Sequence, residues 1–148
     1  MVIKEITKNE NETRQFAARL QEKFGAGVFY ALRGDLGTGK TCFVRGLASA
    51  LGIKTAVSSP TFTIVNEYTA EDGTRLIHAD LYRIPGPDEL DSIGWYEYLD
   101  SGDTMAVEWP ERAGDQIPEG TIFVDIAFGA TSGERQFTVT TSEEQSGR

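Results

Sequence analysis

The alternation of hydrophobic and polar positions predicts strands and helices in turn through the first third of the chain. Apolar residues alternate weakly over Val2–Ile6, which predicts an edge strand. Residues 7–10 have the T-x-x-E form of a capping box, and the helix that they open extends to about Phe24. Residues 28–32 are an apolar run typical of a buried strand. A second helical pattern over residues 43–51 ends at a glycine.

Two predicted antiparallel hairpins occupy much of the remaining chain. Thr61 to Thr69 and Arg75 to Arg83 have strand composition and are joined by an Asp-Gly turn signal. Residues 121–128 and 135–141 form the second pair around a glycine-rich turn.

The segment between these hairpins predicts a helix, a strand and a loop. An acidic helical stretch is expected from Asp88 to about Leu99, with a kink at Gly94, after a Pro-Gly-Pro breaker. Thr104 to Trp109 is a short buried strand, and residues 111–120 form a loop. This order predicts one α/β domain, a P-loop NTPase with a mixed parallel and antiparallel central sheet flanked by helices. We expect the domain to cover residues 1–141 and the polar tail, residues 142–148, to be frayed.

The fold prediction rests on the segment from Gly34 to Thr41. This segment fits the phosphate-binding pattern G-x-x-x-x-G-K-[ST], and it lies between the predicted strand of residues 28–32 and the predicted helix of residues 43–51. Glycines let successive N–H groups point inward, and the helix N-terminus adds partial positive charge. ATP and Mg²⁺ are therefore the expected cofactors, with Lys40 at the β- and γ-phosphates and the Thr41 hydroxyl on Mg²⁺. The expected phosphate contacts are Leu36, Gly37, Thr38, Gly39, Lys40 and Thr41.

Composition excludes several other classes of function. A formal net charge of −9 over 148 residues argues against a direct grip on nucleic acid, so a partner would hold any polyanion. The single histidine, His78, leaves no cluster for zinc, and a lone strand histidine is more often structural than catalytic. One cysteine, no membrane-length apolar run and no signal-peptide core suit a cytoplasmic protein.

Two acidic residues follow predicted strands, where a P-loop enzyme needs a carboxylate to hold Mg²⁺ hydration or activate water. A solvent-facing role is a weak alternative for Glu108, because its strand is apolar and Trp109 follows at once. For Asp80 this alternative is stronger, since hairpin strands have exposed ends. Trp109 either packs on the nucleotide site or fills the core, with the core as the default.

Basic and hydroxyl side chains lie near these acids in the sequence. Arg83 and Arg112 follow the two acids and are in reach of phosphate oxygens, although solvated surface arginine is the alternative for each. Thr61 and Thr63 follow a Ser-Ser-Pro loop, and either hydroxyl is a candidate switch threonine at the γ-phosphate.

Four segments resemble the signatures of the TsaE (YjeE) family of small bacterial P-loop ATPases. The segments are Gly-Asp-Leu-Gly-Thr-Gly-Lys-Thr (34–41), Ser-Pro-Thr-Phe-Thr-Ile-Val-Asn-Glu-Tyr (59–68), His-Ala-Asp-Leu-Tyr-Arg (78–83) and Val-Glu-Trp-Pro-Glu-Arg (107–112). The resemblance implies a role in making threonylcarbamoyladenosine in tRNA. It also implies a TsaB–TsaD complex as the protein partner, with tRNA reached through that complex. We further expect ATP hydrolysis to be slow in the isolated chain, because neither candidate arginine is tied to the phosphate-binding loop by sequence.

The same resemblance implies roles for individual residues. Glu108 becomes a Mg²⁺ or water ligand, Asp80 a second acid near the γ-phosphate, and Thr61 or Thr63 the switch hydroxyl. The adenine is expected between the start of the first helix and the last hairpin, which implies Glu10 and Arg135. A small-molecule kinase or a nucleotide-sensing module on the same loop is the alternative, while a GTPase is disfavoured because no N-K-x-D signature occurs.

Overall fold

The computed structural model describes residues 1–58 and 64–141. Seven strands and three α-helices are present in that part of the chain. Their bounds are β1 Val2–Thr7, α1 Glu10–Phe24, β2 Phe29–Arg33, α2 Lys40–Ala50, β3 Val65–Thr69, β4 Arg75–Asp80, α3 Trp95–Ser101, β5 Thr104–Glu108, β6 Ile122–Phe128 and β7 Arg135–Thr140. The predicted α/β class and the mixed sheet are therefore confirmed.

The seven strands form one sheet in the order β1-β7-β6-β2-β5-β4-β3. The four central strands β6, β2, β5 and β4 are parallel, whereas β1, β7 and β3 pair antiparallel with their neighbours. Both predicted hairpins are present. The parallel centre was not resolved by sequence patterning, and it brings the carboxyl ends of β2, β5 and β4 to one edge of the sheet.

The sheet separates two hydrophobic layers, and β2 contributes to both. Tyr30 and Leu32 pack under α1 and α2, whereas Phe29 and Ala31 pack on the opposite face with Trp95 of α3. This alternation follows from the two-residue period of a strand. All four of these β2 residues are buried, so β2 is the central element from which the glycine-rich loop of residues 34–39 departs.

The first helix begins with a different cap from the predicted one. Asn9, not Thr7, is the N-cap, and its side chain accepts a hydrogen bond from the Glu12 N–H at 2.9 Å. Glu12 in turn accepts from the Lys8 N–H at 2.8 Å, which completes a capping arrangement two residues further along. Thr7 remains in β1, where it pairs with Arg135 of β7, and its hydroxyl forms a 2.7 Å hydrogen bond with that of Thr13.

The predicted acidic helix over residues 88–99 is wrong as a single element. Short 3-10 turns occupy Pro87–Glu89 and Asp91–Ile93, and α3 begins only at Trp95. Gly94 precedes α3 with φ of 80°, a left-handed conformation that interrupts the helix at the position where a kink was expected. The predicted loop after β5 likewise contains a 3-10 segment, Pro110–Gln116.

The β3–β4 hairpin is shorter than predicted. β4 ends at Asp80 because the Asp80 carboxylate accepts from the Tyr82 N–H at 3.0 Å and turns the chain away from the sheet. β3 begins at Val65, and the expected start at Thr61 lies outside the described residues. The expected frayed tail, residues 142–148, also lies outside them. Within the described ranges, no helix is long and apolar enough to cross a membrane.

Candidate nucleotide site

The loop between β2 and α2 has a backbone that requires glycine at several positions. Gly37 and Gly39 have φ of 82° and 103°, conformations that other residues rarely adopt. A Cβ atom on Gly34 would lie 2.7 Å from the Ile126 carbonyl oxygen, so the loop and β6 approach too closely for a side chain. Thr38 closes the turn, because its hydroxyl donates to the Asp35 carbonyl at 2.8 Å.

The loop delivers the chain into α2 with its functional side chains at the first turn. Lys40 is the first residue of the helix and Thr41 follows it, half-buried. The first N–H groups of a helix have no partner within it, so this terminus presents donors and partial positive charge beside the loop. Leu36 is 78% exposed at the tip of the loop, where its side chain makes little contact with the domain.

Lys40 is folded back onto the loop and the end of β5. Its Nζ atom donates to the Gly34 carbonyl at 2.8 Å, lies 4.0 Å from Glu108 Oε1, and is 4.4 Å from the centroid of the Trp109 ring. The side chain is 6% exposed. An ammonium group at this depth requires partners, and a carbonyl, a carboxylate and an indole face supply them.

The two predicted acids lie side by side at the sheet edge. Asp80 at the end of β4 is in register with Glu108 at the end of β5, and Glu108 is in register with Leu32 just before the loop. Glu108 is 5% exposed. Because β4 pairs parallel with β5, Asp80 is half-buried rather than at the solvent-facing end of an isolated hairpin.

The pKa of the Asp80 carboxyl is raised above its ordinary value, first by burial and then by the nearby Glu108 carboxylate. The hydrogen bond from the Tyr82 N–H opposes this shift. Two carboxyl groups at one sheet edge, beside one lysine, therefore form a site with an excess of negative charge that suits a cation.

A buried histidine that the sequence reading treated as structural contacts one of these acids. His78 is fully buried in β4, and its Nε2 atom lies 2.7 Å from Glu108 Oε2. Strand alternation offers the signal that was missed, since His78 and Asp80 are two residues apart and lie on the same face of β4. That Glu108 is the partner of His78 follows only from the pairing of β4 with β5.

Trp109 connects the site to an aromatic patch. It packs partly against the hydrophobic layer that contains Phe29 and Trp95, in line with the default prediction of a core position. Its ring also covers Lys40 and lies 5.0 Å from the ring of Tyr82. Its φ of 57° is left-handed, which turns the chain sharply after Glu108. Arg112 lies against Tyr82 and donates to the Ile84 carbonyl at 3.3 Å, while Arg83 is exposed.

A cavity of about 340 Å³ opens beside the loop, between the start of α1 and the β6–β7 hairpin. Glu10 and Arg135, the two residues expected at the adenine, both line it. The other lining residues are Asn9, Thr13, Gly37, Thr38, Gly39, Cys42, Ser132 and Gly133. Adenine contact itself stays a prediction for both residues.

Arg135 holds the loop of residues 34–39 in place through hydrogen bonds to its backbone carbonyls. Its Nε donates to the Thr38 carbonyl at 3.0 Å and one Nη atom to the Gly37 carbonyl at 3.3 Å. The other Nη atom donates to the Ser132 and Glu134 carbonyls, both at 2.9 Å. Since a trans peptide points its C=O and N–H in opposite directions, the Gly39 N–H faces away from Arg135. Sequence reading predicted a ligand contact here and missed this bracing role.

Of the predicted site residues, the structure brings Lys40, Thr41, Asp80 and Glu108 to one edge, with Glu10 and Arg135 at the adjoining cavity. Thr61 and Thr63, the candidate switch threonines, lie outside the described residues. Oxygen donors of Thr41 and Glu108 are the ligand type that Mg²⁺ prefers. Residues 1–58 and 64–141 contain no group of three His, Cys, Asp or Glu side chains arranged to hold a metal by themselves.

The parallel sheet centre and the glycine loop leading into α2 define a P-loop NTPase fold. Comparison with known proteins then identifies the family. The family model described as "Threonylcarbamoyl adenosine biosynthesis protein TsaE" matches residues 7–137. The chain belongs to the TsaE family.

Individual relatives agree with this assignment. The chain is 44% identical to the tRNA threonylcarbamoyladenosine biosynthesis protein TsaE of Aquifex aeolicus, over 72% of this chain and 76% of that protein. It is 38% identical to the protein of the same name from Bacillus subtilis, over 90% of this chain and 82% of the relative. A crystal structure of Bacillus subtilis YdiB aligns with a TM-score of 0.75 and 35% identity, covering 98% of this chain and 88% of that one.

Proposed function

We propose that this protein binds Mg-ATP at the loop of residues 34–41 and hydrolyses it in the service of tRNA threonylcarbamoyladenosine synthesis. The observation that carries the proposal is the meeting of Lys40 with Glu108, 4.0 Å apart, where the loop and two strand ends converge. A cation for phosphate and a carboxylate for metal or water are the parts that phosphoryl transfer requires. The pathway named for the family and for its relatives supports this role.

Each residue has a role in this proposal. Lys40 exchanges the Gly34 carbonyl for a phosphate oxygen, since a charged acceptor forms the stronger hydrogen bond. Glu108 orients water or a metal-bound water, and Asp80 is a second acid near the γ-phosphate. We assign the switch role to the hydroxyl of Thr63, and we propose Thr61 as a further nucleotide contact. Glu10 and Arg135 bound the adenine side.

The site also fits magnesium. Thr41 and Glu108 are the proposed metal-binding residues, and Mg²⁺ is usually held by one or two protein oxygens together with phosphates and water. A site of this kind needs no all-protein cluster of ligands. Magnesium bound there would neutralise charge on the phosphate oxygens.

The proposed partner is the TsaB–TsaD complex, and tRNA is reached through it. A net charge of −9 supports this division of labour, because sequence-independent affinity for tRNA requires a basic surface. We place the protein in the cytoplasm, where tRNA modification occurs. Hydrolysis by the chain alone is expected to be slow, since the full set of groups around the γ-phosphate must be assembled together.

Calorimetry with Mg-ATP tests the binding step. Lys40→Ala removes a charge-assisted hydrogen bond worth about 1.5–3 kcal/mol. The dissociation constant of the Lys40→Ala variant for Mg-ATP should therefore rise roughly 10- to 150-fold. Lys54→Ala is the matched control, because Lys54 is exposed and pairs with Glu71 at the surface. Equal affinity in wild type and Lys40→Ala would refute the proposal.

Turnover measurements test the catalytic step and the partner. ATP hydrolysis is measured for the chain alone, with TsaB–TsaD, and with that complex plus tRNA. We expect stimulation by the complex. Phosphate transferred to a small-molecule acceptor would establish a kinase instead, and binding without turnover under all three conditions would establish a sensor.

A further inference from the structure

His78 is a buried polar residue that the proposed chemistry does not yet use. It lies in the middle of β4, fully buried, and its Nε2 atom is 2.7 Å from Glu108 Oε2. On the same face of the sheet, Leu76 and Ala106 are apolar and belong to the hydrophobic layer under α1 and α2, whereas Asp80 and Asn66, the register partner of His78 in β3, are polar. The imidazole thus lies at the border between that apolar layer and the acidic edge of the sheet, and it is directed at the acid that ends β5.

The other imidazole nitrogen indicates why this residue is a histidine. His78 Nδ1 is buried and has no hydrogen-bond partner among the described residues. Leucine or methionine would fill a similar volume without leaving a polar atom unsatisfied, so packing alone does not favour histidine here. The compensation that the structure shows is the single short hydrogen bond to Glu108.

The two oxygens of Glu108 face different partners. Oε2 is taken by His78, and Oε1 lies 4.0 Å from Lys40 Nζ beside the loop. The terminal torsion of a glutamate is broad, so an unrestrained carboxylate would rotate and exchange its oxygens. A donor fixed in a strand and bonded to Oε2 holds the carboxylate plane and keeps Oε1 toward the loop.

We propose that His78 is a positioning residue that orients the Glu108 carboxylate through an Nε2–H···Oε2 hydrogen bond. The inference rests on the proposed function, since the value of a fixed Oε1 is that it faces the metal or the attacking water. Outer partners of ligating carboxylates commonly change metal affinity or activity 10- to 100-fold when removed. The expected losses are therefore in turnover and Mg²⁺ affinity, not in nucleotide binding as such.

Three substitutions separate positioning from packing. In His78→Gln the amide Nε2 falls about where the imidazole Nε2 was, whereas in His78→Asn the amide reaches only the position of Nδ1. His78→Leu removes the donor altogether. With TsaB–TsaD present, we expect kcat to fall about 10- to 100-fold in the Asn and Leu variants and to recover substantially in Gln. The dissociation constant for ATP without Mg²⁺ should stay within about threefold of wild type.

Three results would overturn the proposal that His78 positions Glu108. Equal kcat in wild type, Asn and Leu variants would overturn the proposal, as would a Gln variant as impaired as Asn when urea unfolding shows both to be folded. Parallel losses of ATP affinity and kcat in all three variants would indicate a structural role and also overturn it.

Nuclear magnetic resonance provides a readout without turnover. His78 is the only histidine in the sequence, so its imidazole nitrogens give a single, unambiguous set of signals. Long-range ¹H–¹⁵N correlation should place a hydrogen on Nε2, and Glu108→Gln should shift that nitrogen. A bare Nε2 with the hydrogen on Nδ1 would overturn the inference. The spectrum is independent of ATP hydrolysis, so failure of the proposed function remains distinguishable from failure of this one.

Discussion

The Nζ atom of Lys40 lies 4.4 Å from the centroid of the Trp109 ring. Trp109 therefore reports directly on the position of the lysine that is proposed to bind phosphate. The same ring contacts that of Tyr82 at 5.0 Å, while Tyr82 itself is largely exposed. Any movement of Lys40 toward a ligand changes the environment of an indole that stands at the rim of the site.

We accordingly expect Mg-ATP to change tryptophan fluorescence through Trp109. Withdrawal of a cation from an indole face alters its emission, and the ring also becomes more or less exposed as Lys40 moves. Trp109→Phe should abolish the change. Trp95→Phe is the control and should retain it, because Trp95 is buried beside Phe29 in the layer below α3. A signal that survives Trp109→Phe would contradict the assignment.

Glu108 is expected to matter more to hydrolysis than Asp80. Glu108 is the more deeply buried acid and the one near Lys40 and His78, whereas Asp80 already accepts from the Tyr82 N–H. Glu108→Gln should lower kcat by roughly 10²- to 10⁴-fold, the range that a general base contributes, with ATP still bound. Single-turnover assays with TsaB–TsaD measure both variants. If Asp80→Asn proves far more damaging, the two roles are reversed.

Arg135 should stabilise the phosphate loop from outside. Loss of its bonds to the Gly37 and Thr38 carbonyls frees the loop backbone, so Arg135→Ala should weaken Mg-ATP binding by about tenfold, equivalent to ~1.4 kcal/mol. Arg135→Lys should restore little, because a single ammonium does not reproduce the planar guanidinium fork. Calorimetry measures the three proteins. Arg19→Ala, at an exposed ion pair with Glu5, is the control and should bind like wild type.

The packing of α1 on α2 depends on Gly46. A Cβ atom there would meet the Arg14 carbonyl oxygen and would lie 2.7 Å from Ala17 Cβ. Gly46→Ala should therefore destabilise the domain by about 1–3 kcal/mol, despite the higher helix propensity of alanine. Urea unfolding measures the change. Ser49→Ala, at an exposed position of α2, should leave stability within about 0.5 kcal/mol of wild type or raise it.

The helix boundaries show how far local patterns extend. The end of α1 at Phe24 and the glycine after α2 were predictable, because left-handed glycines stop helices locally. Over residues 88–99 the interruption at Gly94 was predicted, but the acidic, helix-prone composition did not reveal that Pro87–Glu89 and Asp91–Ile93 form 3-10 turns and not an α-helix. At Asp80 the strand ended early for a similarly local reason, a side chain bonding to the backbone two residues on.

The sequence by itself indicated the glycine-rich loop of residues 34–41 and the family, and it predicted Asp80 and Glu108 as the two acids, since glycine spacing and residue type are local properties of the chain. Only the tertiary structure decided which strands lie side by side. Parallel pairing of β4 with β5 brought His78 to Glu108 across 30 positions, and the last hairpin brought Arg135 to Thr38 across 97. Such contacts depend on sheet order, which arises from the burial of whole strands and helices and has no signature at either residue alone.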